Sequence, residues 1–187
     1  MQANEQEMVA AVSRGRPGSH EAVMERYGQE VFALVVKLVP DVLDAEEVTE
    51  DAFVKAFRNI RQYNSTKAAF STWLCRIAYG LAIDRLRQRR PPTLRLEELN
   101  VSGEMGAEDE ELFIEEADNH QELLHRMLDA IDSLPPEEQI LVTMFHLENR
   151  PLRDIAYITG EREGTLATRL HRIRKKLHQI MTDYDKE

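Results

Sequence analysis

The sequence predicts an all-α fold, with two small helical domains joined by an acidic flexible linker. Three observations carry this prediction. Apolar residues recur at three- and four-residue intervals almost throughout, with no alternating run of the kind a strand needs. That pattern lapses once, over residues 93–121, where glycines and acidic residues replace apolar ones. Charge divides the chain at the same place. The net charge of −10 is the sum of +1 over residues 1–90 (13 Lys/Arg, 12 Asp/Glu), −11 over 91–136 (2 and 13) and zero over 137–187 (9 and 9). Within the flanks the cations concentrate further: residues 61–90 hold seven against Asp84 alone, and 162–176 hold six against Glu163 alone.

The elements follow in order. From His20 to Leu38, Val23, Tyr27, Val31, Leu34, Val35 and Leu38 share one helical face. From Ala45 to Ile60, the stripe is Val48, Ala52, Phe53, Ala56, Phe57 and Ile60, with Asp44 as the expected N-cap and Glu47 three residues on. A third helix, Phe70 to about Arg89, is expected to bury Phe70, Trp73, Leu74, Ile77, Ala78 and Leu81, and Pro91-Pro92 stops it. After the linker, Leu123, Leu124, Met127, Leu128 and Ile131 resume the spacing, which ends at Leu134-Pro135-Pro136. Three short helices are expected over about 137–147, 151–158 and 162–181. The layout divides into domains at 1–92 and 122–187.

Composition removes several function classes. No stretch approaches the ~20 apolar residues of a membrane helix, and the first 20 residues lack the positive start and apolar core of a signal peptide. A cytoplasmic protein with no direct membrane insertion is expected. Cys75, the single cysteine, has no internal partner and reads as a small core residue. His120 and His125 lie five apart without a CxxC or HxxxH, and no phosphate loop or nucleophile elbow occurs. Metal, cofactor and catalysis are not expected.

The most informative local pattern is PLRDIAYITGEREGTLATRLHRIRKKL. A helix-turn-helix needs a small residue where two helices cross, a turn residue that tolerates positive φ, and an apolar anchor on the second helix. Ala156, Gly160 and Leu166 supply these. Leu152, Ile155 and Ile158 then bury the first helix; Leu170, Ile173 and Leu177 bury the second. Arg162, Thr165, Thr168, Arg169 and Arg172 remain outward, where Arg suits guanine and Thr a thymine methyl or a phosphate. Lys175 and Lys176 extend the basic face. An ordinary helical hairpin with a solvated cationic face would show the same pattern.

The first half is more specific. DAEEVTEDAFVKAFRNI and YNSTKAAFSTWLCRIAYGLAIDRLRQRR closely resemble domain two of the extracytoplasmic-function (ECF) sigma factors, the two-domain kind of bacterial sigma-70 family protein. LPPEEQILVTMFHLENRPLRDIAYITGEREGTLATRLHRIRKKL resembles their domain four. The two matches stand in the family's order and span roughly two thirds of the chain.

That resemblance implies an initiation factor that binds core RNA polymerase, at the clamp of the largest subunit and at the flap, and directs it to promoters. Asp44, Glu46, Glu47, Asp51 and Phe53 are the positions it implies for clamp docking, although Asp44 and Glu47 also read as helix caps and Phe53 as core. It implies that Tyr63, Asn64, Ser65, Lys67, Ser71, Arg76, Tyr79, Arg85 and Arg87 meet the minus-ten element and assist melting, with a base flipped into the loop 64–71. Phe70, Trp73, Arg89 and Arg90 stand beside them. Base extrusion costs a few kcal/mol, and stacking on an aromatic ring returns roughly 1–3 kcal/mol. Arg162, Thr165, Thr168, Arg169, Arg172, Lys175 and Lys176 would read the minus-thirty-five duplex. A partner anti-sigma factor, often membrane-anchored, is expected by family habit.

Gly80, Pro151, Arg162 and Ala167 depart from the family's usual Asn, Ser, Ser and Lys, which bears on promoter sequence more than on family. Two other readings fit parts of the pattern: a dimeric helix-turn-helix regulator that works without polymerase, and a helical interaction protein whose basic faces bind acidic partners.

Overall fold

A computed structural model of the chain describes residues 2–89 and 120–184. Eight α-helices form among these residues, with no strand: α1 Gln2–Ser13, α2 Ser19–Leu38, α3 Val42–Arg58, α4 Phe70–Arg89, α5 His120–Asp132, α6 Pro136–Val142, α7 Leu152–Thr159 and α8 Glu163–Tyr184. A 3-10 turn, Ile60–Gln62, follows α3, and a π turn, Thr143–Leu147, follows α6. Arg90, the Pro91-Pro92 stop and all but the last two residues of the expected linker lie outside the described residues.

The apolar stripes do what their spacing predicts. Val23, Tyr27, Val31, Leu34, Val35 and Leu38 of α2 are all buried, as are Val48, Ala52, Phe53 and Ala56 of α3. Helix α4 buries Phe70, Trp73, Leu74, Cys75, Ala78 and Ala82 between α2 and α3. Ile77 and Leu81, expected in that core, are only half-buried, because they flank the stripe and do not lie on it. Leu124 and Leu128 of α5 also depart from expectation, at 46% and 41% exposed; Ile131 of the same stripe is buried as expected, with Ala130 and Leu134 beside it.

Helix α1 lies outside the helices that apolar spacing predicts. Its few apolar residues, Met8, Val9 and Val12, pack against the core, and the chain reverses through Gly15 and Gly18 at φ of 66° and 76°. Glu5 fixes it further. Its Oε1 accepts from the Tyr27 hydroxyl and from the Phe70 amide, both at 3.2 Å, and so caps α4 from another helix.

The start of α3 corrects the sequence reading. Asp41, not Asp44, is the N-cap: its Oδ1 accepts from the Asp44 amide at 3.1 Å. Asp44 sits in the first turn and points at α4. There Arg85 Nη1 meets its Oδ1 at 3.2 Å, and Arg89 pairs with its other oxygen.

The two helical halves also pack on one another. Helix α4 packs on α7, α2 packs on α6, and the buried apolar residues form one cluster from Val12 to Ile173.

Candidate nucleic-acid interface

Helix α7 and the start of α8 hold the turn the sequence predicts. Gly160 closes α7 at φ 77°, its amide bonding the Ala156 carbonyl at 2.9 Å in the αL cap that glycine adopts without strain. Ile155, Ile158, Leu166, Leu170 and Ile173 are buried, so one face of α8 is fixed inward. Arg162, Thr165, Arg172, Lys175 and Lys176 are exposed, and Thr168 and Arg169 half-exposed. Arg169 pairs with Glu161, the Thr168 hydroxyl donates to Gly164 at 3.0 Å, and Lys176 meets Glu138 at 3.2 Å. Arg162, Thr165, Arg172 and Lys175 are held by none of these contacts.

The segment between α3 and α4 builds a second surface. Asn64 Oδ1 accepts from the Thr66 amide and hydroxyl at 2.9 and 2.7 Å, folding an Asx turn that leaves Ser65 and Lys67 exposed. Behind the loop stands an aromatic knot. Tyr63 meets Phe70 edge-on at 5.3 Å and Trp73 at 5.6 Å, and Tyr27 meets Phe70 at 5.3 Å. Phe70 is fully buried and Trp73 7% exposed, so neither can stack on a base; within this knot the half-buried Tyr63 presents the reachable ring. Its hydroxyl is buried without a hydrogen-bond partner among the described residues, and burial, then Glu5, raises its pKa. A groove of about 300 Å³, lined by Val9, Ser13, Ile60, Arg61, Tyr63 and Ser65, opens beside it.

On α3, Glu46, Glu47 and Asp51 are exposed along with Leu43 and Val54, at 76% and 44%. Phe53, assigned to the same face in the sequence, is 2% exposed and packs against Phe57, so it supports that face from inside. Arg85, assigned to DNA, is drawn onto α3 by Asp44 and by Glu47, whose Oε2 lies 3.0 Å from Nη2. Ser71 is half-buried at the start of α4.

The remaining α4 residues face the second half. Arg76 Nη1 donates to the Tyr157 carbonyl at 2.6 Å, and its guanidinium lies 5.0 Å from the Tyr157 ring centre. Tyr79, Gly80 and Arg87 line one wall of a cleft of about 1300 Å³ whose other wall holds Thr165, Thr168, Arg169 and Arg172. Burial, then Glu161, pushes the Tyr79 phenol up to about 12. A β-carbon at Gly80 would meet nothing within 4 Å, so the missing side chain leaves open space in this cleft.

Residue by residue, the sequence reading missed Glu5 and Arg150. Arg150 follows Asn149, whose φ is 51°, and precedes Pro151. Its guanidinium meets Glu148 at 2.5 Å and Glu30 of α2 at 2.8 Å. Cys75 lies beneath, 3.9 Å from Glu30 Oε1, and its burial pushes the thiol up to about 12. A cation between a turn residue and a proline was the only local sign of Arg150.

Comparison with known proteins decides the family. Residues 23–91 match Sigma-70 region 2, and residues 124–177 match Sigma-70, region 4. The ECF RNA polymerase sigma-E factor of Escherichia coli K12 is 30% identical over 182 residues, covering 94% of this chain and 93% of that protein. The chain belongs to the ECF sigma factors. Other relatives agree: the ECF RNA polymerase sigma factor SigW of Bacillus subtilis is 26% identical, covering 94% and 95%, and the RNA polymerase sigma-H factor of Pseudomonas aeruginosa is 28% identical, covering 96% and 95%. Among solved structures, CnrH in complex with the cytosolic domain of CnrY superposes with a TM-score of 0.64 at 16% identity, covering 96% and 97%. The sigma factor RpoE in complex with the anti-sigma factor NepR from Bartonella quintana gives 0.60 at 17% identity, covering 88% and 98%. At those identities the likeness is one of fold. No helix among the described residues of this sigma factor is long and apolar enough to cross a membrane.

Proposed function

We propose that this sigma factor divides promoter recognition among three surfaces, while the polymerase supplies the chemistry. As a family member it is a promoter-directing initiation factor of RNA polymerase. The exposed carboxylates Glu46, Glu47 and Asp51, flanked by Leu43 and Val54, suit docking on the basic clamp of the largest subunit, with Asp44 holding the helix to Arg85 and Arg89. The loop 64–69 and the groove beside Tyr63 suit capture of a single-stranded minus-ten base. The outward face of α8, with Arg169 and Arg172, suits the major groove of the minus-thirty-five duplex. The observation that carries this division is that the acidic and cationic faces lie on different helices, each fixed by a buried stripe behind it.

The chain itself would carry no catalytic activity and would act in the cytoplasm. The solved complex of RpoE with the anti-sigma factor NepR supports an anti-sigma partner as well.

Separable variants test the division. Glu46→Lys with Glu47→Lys and Asp51→Lys is expected to abolish association with core polymerase. Arg169→Ala with Arg172→Ala is expected to leave that association intact and to weaken the minus-thirty-five duplex, each bidentate contact to guanine being worth about 1–3 kcal/mol. Normal initiation by the Arg double variant at every promoter with that element would refute the placement on α8.

A further inference from the structure

We propose that Arg85 is a positioning residue for polymerase docking and not a DNA contact: anchored on Asp44, it holds the Glu47 carboxylate in the pose that meets the polymerase. This deepens, and rests on, the docking face of α3 proposed above.

The start of α3 and the end of α4 are joined by charge. Asp44 stands in the first turn of α3, and Arg85 and Arg89 in the last two turns of α4. A carboxylate suits a helix N-terminus and a guanidinium a C-terminus, so each group also favours its own helix. Asp44 gives one oxygen to Arg85 at 3.2 Å and the other to Arg89. Its side chain is 18% exposed, so with both oxygens engaged it serves as an anchor inside the fold. The same Arg85 guanidinium reaches on to Glu47, where Nη2 lies 3.0 Å from Oε2. Glu47 is 61% exposed, and Arg85 leaves its Oε1 to meet another donor. A planar fork can span two carboxylates in this way; the single ammonium of a lysine cannot.

Two properties follow. Glu47 is a long, rotamer-rich side chain, and ordering such a group at an interface opposes binding. Arg85 orders it beforehand. The second property concerns DNA. Asp44 and Glu47 carry two negative charges and Arg85 and Arg89 two positive ones, so the cluster is neutral. Phosphate binding draws on uncompensated cations and the counterions they displace, which a neutral cluster does not supply.

The direction of the effect separates positioning from charge. Deleting a cation from an acidic face that meets a basic partner should, on charge alone, tighten docking. Positioning requires the opposite.

The test is a double-mutant cycle on the full chain, with affinity for core polymerase read by biolayer interferometry at fixed salt. Arg85→Gln is expected to weaken docking about three- to tenfold, the cost of ordering a freed side chain at the interface. Its urea midpoint is expected to stay near wild type, since ion pairs this exposed add little stability. Arg85→Lys, which keeps the charge and loses the fork, is expected to fall between. In a Glu47→Ala background, Arg85→Gln is expected to add no further loss, because the group it positions is gone. The second readout is binding of a fluorescent single-stranded DNA of mixed sequence by the assembled holoenzyme across a salt series. Arg85→Gln is expected to keep the wild-type slope, whereas each lost phosphate contact would lower it by about 0.7. Docking that is unchanged or tighter in Arg85→Gln would overturn the positioning role. So would an equal loss in the Glu47→Ala background, which is also what a merely damaged fold would give. A lowered salt slope would overturn the exclusion of Arg85 from DNA. Full docking by Glu46→Lys/Glu47→Lys/Asp51→Lys would instead strike the docking face itself, and this proposal with it.

Discussion

Removing the Glu5 carboxylate is expected to loosen the start of α4, the helix that carries most of the residues the sequence reading assigns to the minus-ten element. Glu5 Oε1 serves two donors, the Phe70 amide and the Tyr27 hydroxyl. In Glu5→Ala the amide loses a cap, at about 1 kcal/mol. Tyr27 is 6% exposed and its hydroxyl loses that part-buried bond, at about 1 kcal/mol more. The total of about 2 kcal/mol corresponds to about 4–8 °C in melting temperature for a chain of this size. Glu5→Gln keeps an acceptor oxygen and loses only the charge at the helix N-terminus, about 0.5 kcal/mol. The single tryptophan, Trp73, lies one turn into α4 against Tyr63 and Phe70, so its fluorescence during urea unfolding reports the affected region. An independent readout is the Tyr27 phenol, which burial and then Glu5 push up to about 12; it is expected to titrate lower in Glu5→Ala. An Ala variant within 0.5 kcal/mol of wild type, or a Gln variant as damaged as the Ala one, would refute the distal cap.

Other perturbations have equally definite outcomes. Gly80→Ala is expected to stabilise the fold by about 0.5–1 kcal/mol in urea unfolding, since a β-carbon there meets open space within a helix. Leu166→Ala, at a fully buried anchor of the helix-turn-helix, is expected to cost about 2–5 kcal/mol and to lower duplex binding. Stability is expected to fall as pH rises from about 9 to 12, because the unfolded state ionises Cys75, Tyr27 and Tyr79 before the folded state, where burial holds each near 12. At the acid end, burial and then Arg174 lower the pKa of His146, so its contribution is present above pH 6.5 and lost as pH falls below it. Urea titrations across the pH range check both limbs.

The helical stripes were legible in the sequence because burial repeats every three to four residues and needs no knowledge of the partner. The helix-turn-helix was legible for a similar reason: Gly160 and Leu166 meet local demands of a turn and an anchor. The N-cap of α3 was not. Two aspartates three apart precede that helix, and what separates them is Arg85 and Arg89, more than forty residues away, which claim Asp44. Helix α1 was hidden by its sparse apolar content and by a stabilising contact, Glu5 to Phe70, that spans 65 residues. The packing of the two halves on each other was hidden most completely. Ile155 and Ile158 read as the interior of a small domain, yet α7 also packs on α4, and the Arg150–Glu30 pair spans 120 residues. Pairings between distant charges leave no periodic trace in a single sequence.

The central claim, that this ECF sigma factor works as a subunit of RNA polymerase, is tested most directly by sizing chromatography of the purified chain with bacterial core polymerase. The account predicts stoichiometric co-elution that a known sigma factor competes away and that Glu46→Lys/Glu47→Lys/Asp51→Lys abolishes. A folded chain that elutes alone at moderate salt would contradict it.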